Sequence, residues 1–466
     1  MTNDAGTAVH PYIPSSVPEM RDAMLRSIGA RDVAELYADI PPELRLDRPL
    51  QLPEPLRSEH ALRRHIEELL ARNVSTAEYP SFLGAGCYRR FVPAVCDEIN
   101  GRAEFLTAYG GEPYEDHGRF QALFEYCSMM GELLEMDVVS VPTFDGAQAA
   151  ATALRMAGRI TGRHAVLVPA TTNPQRRSVI ANYLDGALEV VEVDYDRSTG
   201  LLDLADLRAK LSPATAAVFI ENPGYFGVIE AQAPEIVALA HAQGALAVAC
   251  VDPSSLGVLE APGAYGADIA CGDLQPLGIH MYFGGGQGGF IATPDEERFV
   301  AEYPSRLFGL TRTVVEGEYG FGDVFWERTS FHGREEAKEF VGTAAALWGI
   351  TAGVYLALMG PQGMREIGET SMRLARYAAT CLATIPGVRA PRFSGIPFTE
   401  FVVDFSATGR TVREINAALL DAGIFGGADL SDQFPELGQA ALYCVTELHT
   451  RDELDRLADT LRQVLA

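Results

Sequence analysis

The stretch ADIACGDLQPLGIHMYFGGGQGGFIAT, residues 267–293, decides the architecture of this chain. An apolar run with β character (267–273) ends in a short polar turn built on Gln275 and Pro276, and a glycine-rich segment leads back to a second apolar run at 288–293. Short, continuously apolar runs bounded by glycine and proline read as strands buried on both faces of a sheet. The turn between them is then an exposed loop at a strand end, the place where α/β proteins keep their chemistry. Gln275, Pro276 and Leu277 bring no nucleophile to it.

Working outward, the same pattern repeats. Strands are expected at HAVLVPA (164–170), ALEVVEVDY (187–195), AAVFIEN (216–222) and ALAVACVD (245–252), with helical stretches DGAQAAATALRMAGRI, DLADLRAKL and APEIVALAHAQG among them. Apolar strands alternating with helices predict a mostly parallel, doubly wound sheet whose ligands lie at the carboxyl ends of its strands. After a helical span around 338–385 the chain reads strand FTEFVVDFS, helix TVREINAALLDAG, strand AALYCVTELH and helix RDELDRLADTLRQVLA, a small α+β domain. Residues 1–55, rich in proline and acidic residues, are expected to form an extended arm lying on the body or on a partner, because such a segment cannot bury enough apolar surface alone. The expected organisation is therefore an arm (1–55), a large α/β domain (56–340), and linking helices with the small domain (341–466).

Composition narrows the function. With 466 residues, 47% of them hydrophobic, the chain can build one large core and a smaller one. A formal charge of −26 argues against nucleic acid and anionic membranes as partners. No apolar run is long enough for a membrane span and no leader is legible, so a cytoplasmic protein is expected. The seven cysteines are scattered without metal-ligand spacing, so neither zinc nor a disulfide framework is expected.

Three features fall where a ligand site belongs. Asp145, Gly146, Ala147 and Gln148 open a helix after an irregular stretch, and such an end offers free amides to a phosphate or carboxylate. An Asp–Gly helix start is equally an ordinary cap. Asp252 ends a strand; in pyridoxal-phosphate enzymes of the aspartate aminotransferase-like fold type I, an Asp there pairs with the pyridinium nitrogen. It would serve as well to organise the turn DPSSLG. Pro276 follows Asp252 by 24 positions, an interval at which that fold carries the lysine that holds its cofactor. The only two lysines, Lys210 and Lys338, lie in charged helical contexts without the desolvated pocket a Schiff-base nucleophile requires. A further polar concentration, with Tyr88, Tyr109, Tyr114, Glu115 and His117 in glycine-rich loops ahead of an amphipathic helix, has the make-up of functional loops.

Taken together, the stretches YIPSSVPEMRDAML, DIPPELRLDRPLQLP, YPSFLGAGCYRRFVPAV, FEYCSMMGELLEMDV, FDGAQA, VDPSSLGVLEAPGAYGADIACGD, QPLGIHMYFGGGQGGFIAT and GVYLALMG resemble the α subunit of the two-chain P-protein of the glycine cleavage system, the decarboxylating glycine dehydrogenase. The resemblance covers nearly the whole chain. It implies a lysine-less subunit with no activity of its own, paired in an α2β2 heterotetramer with a β subunit that carries pyridoxal phosphate on its own lysine. That partner would decarboxylate glycine and pass the aminomethyl group to the lipoyl arm of H-protein. In this chain Tyr88, Tyr109 and Tyr114, with His117 beside them, would wall the partner's active site, while Asp145, Gly146, Ala147, Asp252 and Gln275 would be a vestigial cofactor cradle. The chain departs from the family at TAYGGEPYEDHG, at AKEFVGT, and at Asn173, where the family often has histidine. Those departures keep open a paralogue acting on another small amino acid or amine, and a purely structural or regulatory subunit.

Overall fold

The computed structural model describes residues 9, 10, 12–46, 48, 50–106, 117–282, 288–305, 307–339 and 345–466. It divides into two units, Met1–Asn73 and Val74–Ala466.

The first unit holds two helices, α1 (Pro18–Ser27) and α2 (Glu59–Leu70), joined by 3-10 turns at Val33–Tyr37 and Pro42–Leu44. Proline at the first position starts α1, and the Ser58 hydroxyl caps α2 by accepting the Ala61 amide at 3.1 Å. Leu25 is the one residue of these two helices that is buried; Leu62, Ile66, Leu69 and Leu70 form an apolar stripe on α2 that stays exposed.

The second unit begins with α3 (Ala94–Asn100) and α4 (His117–Leu134) and is organised on a seven-stranded sheet. Its strands are β1 (Val138–Val139), β2 (Ala165–Pro169), β3 (Glu189–Val193), β4 (Thr215–Asn222), β5 (Leu246–Val251), β6 (Ile269–Asp273) and β7 (Gly289–Thr293), in the order β1-β7-β6-β5-β4-β2-β3. β3, β2, β4, β5 and β6 run parallel; β7 pairs antiparallel with β6, and β1 with β7. Between them run α5 (Gly146–Thr161), α6 (Pro174–Leu184), α7 (Leu204–Lys210) and α8 (Ala233–Ala242). Alternate residues of β5 serve opposite faces: Val248 and Cys250 pack in the core under α5, whereas Ala249 and Val251 pack toward α4. The alanines of α5 let that helix lie close on the sheet. Helix α6 was not foreseen in the sequence, although Asn173 capping it and Pro174 opening it are ordinary start signals.

Two short helices, α9 (Glu297–Val300) and α10 (Ser330–Gly333), flank a hairpin of β8 (Phe308–Arg312) and β9 (Tyr319–Asp323) that was likewise not foreseen. Helix α11 (Ala346–Leu382) is broken at Gly360, whose φ of 58° and ψ of −176° precede Pro361. The small domain then pairs β10 (Glu400–Asp404), β12 (Ala440–Cys444) and β11 (Ala428–Asp429) antiparallel, with β12 central, under α12 (Val412–Asp421) and α13 (Arg451–Leu465). Thr411 and Thr450 start the last two helices with reciprocal capping boxes through Glu414 and Glu453. The segment at Ser81–Leu83 joins this smaller sheet, bridging Phe425 and Tyr443. The loop that follows it is thereby led from the small domain across the strand ends of the large one.

Candidate functional site

The carboxyl ends of three adjacent parallel strands each present a carboxylate: Glu221 on β4, Asp252 just past β5 and Asp273 on β6. Register aligns them, since Glu221 pairs with Cys250 and Cys250 with Cys271. Opposite these ends stands Glu400, the first residue of β10, buried on the strand face shared with Val402, which packs against Tyr225, Phe226 and Val228, while Phe401 and Val403 face the small domain's core. The Gly84–Arg90 loop runs between.

Asp252 is fully engaged inside the chain. Its Oδ1 caps the next turn by accepting the Ser254 amide (2.8 Å) and hydroxyl (2.6 Å), and its Oδ2 accepts the Tyr88 hydroxyl at 2.7 Å and Arg90 Nη2 at 3.3 Å. Arg90, with a side chain 1% exposed, also binds Glu447 at 2.8 Å, the Ser254 hydroxyl at 2.8 Å and the Ser371 hydroxyl at 3.3 Å. One guanidinium thus ties the loop to the end of β5, to α11 and to the small domain. Tyr88 is buried with its hydroxyl turned inward, and burial raises that hydroxyl's pKa well above the usual tyrosine value.

The loop backbone is stitched as tightly. Glu400 Oε1 accepts the Ala85 amide at 2.6 Å, and Asn173 Nδ2 donates to the Ala85 carbonyl at 3.1 Å. Asn173 Oδ1 meanwhile accepts the Gln175 and Arg176 amides at the start of α6. Burial pushes the Glu400 carboxyl up to about 8. Arg176 pairs with Glu221.

At the start of α5, Asp145 accepts the Gln148 amide at 2.8 Å, an ordinary N-cap. The Gly146 amide donates to Asp273 Oδ2 at 3.2 Å, while Asp273 Oδ1 accepts the Gln275 amide at 2.9 Å. Burial raises the Asp273 carboxyl to about 6. Ala147 lies in the same first turn. Gln275 is buried, and its Nε2 donates to the Tyr88 and Ile279 carbonyls at 3.2 and 3.0 Å. Beside it Pro276 is buried and lines the cavity. Tyr109 and Tyr114 lie outside the described residues, and His117 is the first residue of α4. The lysines are remote from this place: Lys210 pairs with Asp206 at 2.7 Å and Lys338 with Glu302 at 3.2 Å.

The space left among Tyr88, Asn173, Arg176, Asp252, Pro276 and Glu400 has a volume of about 70 Å³. Ligand pockets for small molecules and cofactors run to roughly 300–1,000 Å³. Pyridoxal phosphate does not fit these residues: the helix start that would take its phosphate is met by Asp273, the carboxylate that would take its ring nitrogen is held by Tyr88 and Arg90, and proline stands in the turn. No step of chemistry through that group can be derived on this chain. Among the described residues there is also no cluster of side chains able to hold a metal ion, and no helix long and apolar enough to cross a membrane.

Sequence reading brought Asp145, Gly146, Asp252, Gln275 and Pro276 to one place but missed Arg90, Glu221 and Glu400, which close it. Glu400 had a visible signal, a carboxylate inside an otherwise apolar strand. Glu221, inside the apolar run AAVFIEN, carried the same signal, and Arg90 had none beyond its residue type.

Comparison with known proteins bears on the same scaffold. Residues 10–461 match the family model described as glycine cleavage system P-protein. The glycine dehydrogenase (decarboxylating) subunit 1 of Staphylothermus marinus is 38% identical over 467 residues, covering 98% of each chain. Among solved structures, the glycine decarboxylase (P-protein) of the glycine cleavage system superposes with a TM-score of 0.85 at 35% identity, over 98% of this chain and 100% of that one. A sphingosine-1-phosphate lyase of Burkholderia pseudomallei, 14% identical, shares the fold with a TM-score of 0.65 over 90% of this chain and 92% of its own. The large domain has the fold-type-I architecture of pyridoxal-phosphate enzymes.

Proposed function

The chain belongs to the glycine cleavage system P-protein family, and from that premise we propose that it is the lysine-less subunit of a glycine dehydrogenase (decarboxylating), acting with a second chain that carries the pyridoxal phosphate. The observation that supports this division of labour is the small cavity of about 70 Å³ at which Asp252, Asp273 and Glu400 are each bound by groups of the same chain. A cofactor-bearing subunit would leave these groups free for its ligand.

In this reading the partner is a β-type P-protein subunit, the assembly is α2β2, and the aminomethyl group leaves on the lipoyl arm of H-protein. When bound on the partner, the cofactor supplies the electron sink for glycine decarboxylation. This chain's residues act by holding shape. Arg90 and Glu400 pin the 84–90 loop, and we propose Tyr88, Tyr109, Tyr114 and His117 as walls of the partner's site. The proline-rich arm (1–55) would lie along the partner: Tyr12 is 96% exposed, and Leu44 and Leu50 are exposed with it. The large domain (56–340) and small domain (341–466) would then form the body. A reducing cytoplasm suits the seven free cysteines.

The test is reconstitution. Purified chain, purified candidate partner and their mixture are assayed for release of carbon dioxide from carboxyl-labelled glycine in the presence of lipoylated H-protein. Turnover is expected only from the mixture. Turnover by this chain alone, after removal of contaminating partner, would end the subunit reading.

A further inference from the structure

We propose that Cys250 and Cys271 form a two-thiol oxidation site, at which a small peroxide such as hydrogen peroxide converts the pair reversibly to a disulfide joining β5 to β6. The site lies within the chain's own sheet and needs no partner.

Strand register sets the two residues side by side, since Cys250 of β5 pairs with Cys271 of β6, and both belong to the core under α5. Neighbouring strands lie about 4.7–4.9 Å apart, within the roughly 4.4–6.8 Å that a disulfide spans between α-carbons. The bond can therefore form without parting the ladder. The thiols already meet, the Cys271 S–H donating to the Cys250 sulfur. That hydrogen bond, with the Arg176 guanidinium nearby, holds the Cys250 thiol below its ordinary value against the opposing effect of burial. Burial pushes the Cys271 thiol well up. Cys250 is thus the nucleophile and Cys271 the resolving thiol. Elsewhere the balance differs: burial, with Asp273 and Asp97 adding to it, pushes the Cys87 and Cys96 thiols up to about 11. Cys250 also has an approach, because it lines the cavity of about 70 Å³ together with Arg176. A peroxide needs little more room than a water molecule. Each cysteine stands two residues before the carboxylate of its strand end, Asp252 or Asp273, so the new bond would tie those two ends together.

The chemistry balances in two steps. The Cys250 thiolate attacks one peroxide oxygen and the O–O bond breaks, leaving a sulfenic acid on Cys250 and a hydroxide that takes the proton Cys250 gave up. The Cys271 thiol then attacks the sulfenic sulfur; the S–S bond forms, the S–O bond breaks, and water leaves with the Cys271 proton. Two thiols are oxidised by two electrons, and one peroxide is reduced to two waters.

The experiment uses the reduced full-length chain, treated with hydrogen peroxide while folded, then denatured and alkylated with N-ethylmaleimide. The expected result is the loss of two of the seven alkylatable thiols, restored by dithiothreitol, with peptide mapping joining the segment around Cys250 to that around Cys271. Two variants whose fold is checked by circular dichroism separate the roles. Cys271→Ser should stop at a sulfenic acid on Cys250, trapped by dimedone, and Cys250→Ser should give neither trapped adduct nor cross-link. The unmodified chain decides the question by itself if either variant fails to fold. The proposal is overturned if the oxidised chain keeps all seven thiols, if the lost thiols map to other cysteines, or if folded Cys250→Ser still loses two.

Discussion

The Tyr88 hydroxyl donates to Asp252 Oδ2 across 2.7 Å, joining two residues 164 positions apart. The Asp at the end of β5, the group best placed to hold a ring nitrogen, is thereby bound to a loop of its own chain. Tyr88→Phe removes the hydroxyl and leaves the ring, whose face carries the Arg90 guanidinium at 5.1 Å. It should cost about 1.5–3 kcal/mol, the range for a hydrogen bond to a charged group. An unchanged urea midpoint would show that the contact holds nothing.

Arg90 is the costlier position. Replacement by Met leaves Asp252 and Glu447 buried without their counter-charge, and should destabilise by about 3–5 kcal/mol. Arg90→Lys should recover little, because a single ammonium cannot reproduce a planar fork spanning Asp252, Ser254, Ser371 and Glu447. Adding Glu447→Leu to Arg90→Met should cost less than the two single changes summed, in a denaturation cycle, because the second removes a charge the first had stranded. Strict additivity would refute the network.

Glu400 makes stability depend on pH. Burial raises its carboxyl from 4.5 to about 8 in the folded chain, so the folded state holds that proton more tightly than the unfolded state. Its contribution is then fully present below the unfolded value and is lost as pH rises toward 8. Glu400→Gln stays neutral throughout and should flatten the fall in unfolding free energy between pH 5 and 8.5 by on the order of 1–4 kcal/mol. Identical slopes for parent and variant would place the titration elsewhere.

Pro276→Lys restores the residue type that pyridoxal enzymes of this fold use, at the turn after β6. It should still yield no coloured, borohydride-reducible adduct with pyridoxal phosphate after gel filtration, because the cavity is about 70 Å³ and Asp273 holds the Gly146 amide at the start of α5. A stable adduct at this lysine, located by peptide mapping, would show that the missing amine alone was decisive.

Helix α2 presents Leu62 (48% exposed) and Ile66 (43%) on one face with no buried residue of its own. The double change Leu62→Asp, Ile66→Asp should leave the thermal midpoint of the isolated chain within about a degree, since surface changes are close to neutral. It should weaken assembly with the proposed partner by tenfold or more in sedimentation. Unchanged assembly would remove α2 from the interface.

The alternation of apolar strands with helices was legible because a parallel sheet covered on both faces needs continuous apolar runs, and β2, β4, β5 and β6 are such runs. The β8–β9 hairpin and two-residue β11 were not, since the glycines of FGLTR and YGFGD break any continuous apolar run and a two-residue strand carries no period. The same limit applied at the site. Asp145, Asp252 and Pro276 sit at strand or helix ends that pattern can locate, whereas Arg90 and Glu400 acquire their partners only from the way the small domain closes.

From local pattern alone came the fold class, the missing lysine and the position of the strand ends, because each is a property of neighbours in sequence and of hydrophobic period. Whether the groups at those ends stay free for a ligand or are taken up by the chain itself is a matter of contacts between residues as far apart as Ala85 and Glu400, or Gly146 and Asp273. Such contacts depend on the packing of whole elements. A carboxylate reads the same in sequence whether it awaits a ligand or already holds a backbone amide of its own chain, and only the tertiary structure, by bringing β6 onto α5 and the loop onto β10, decided which.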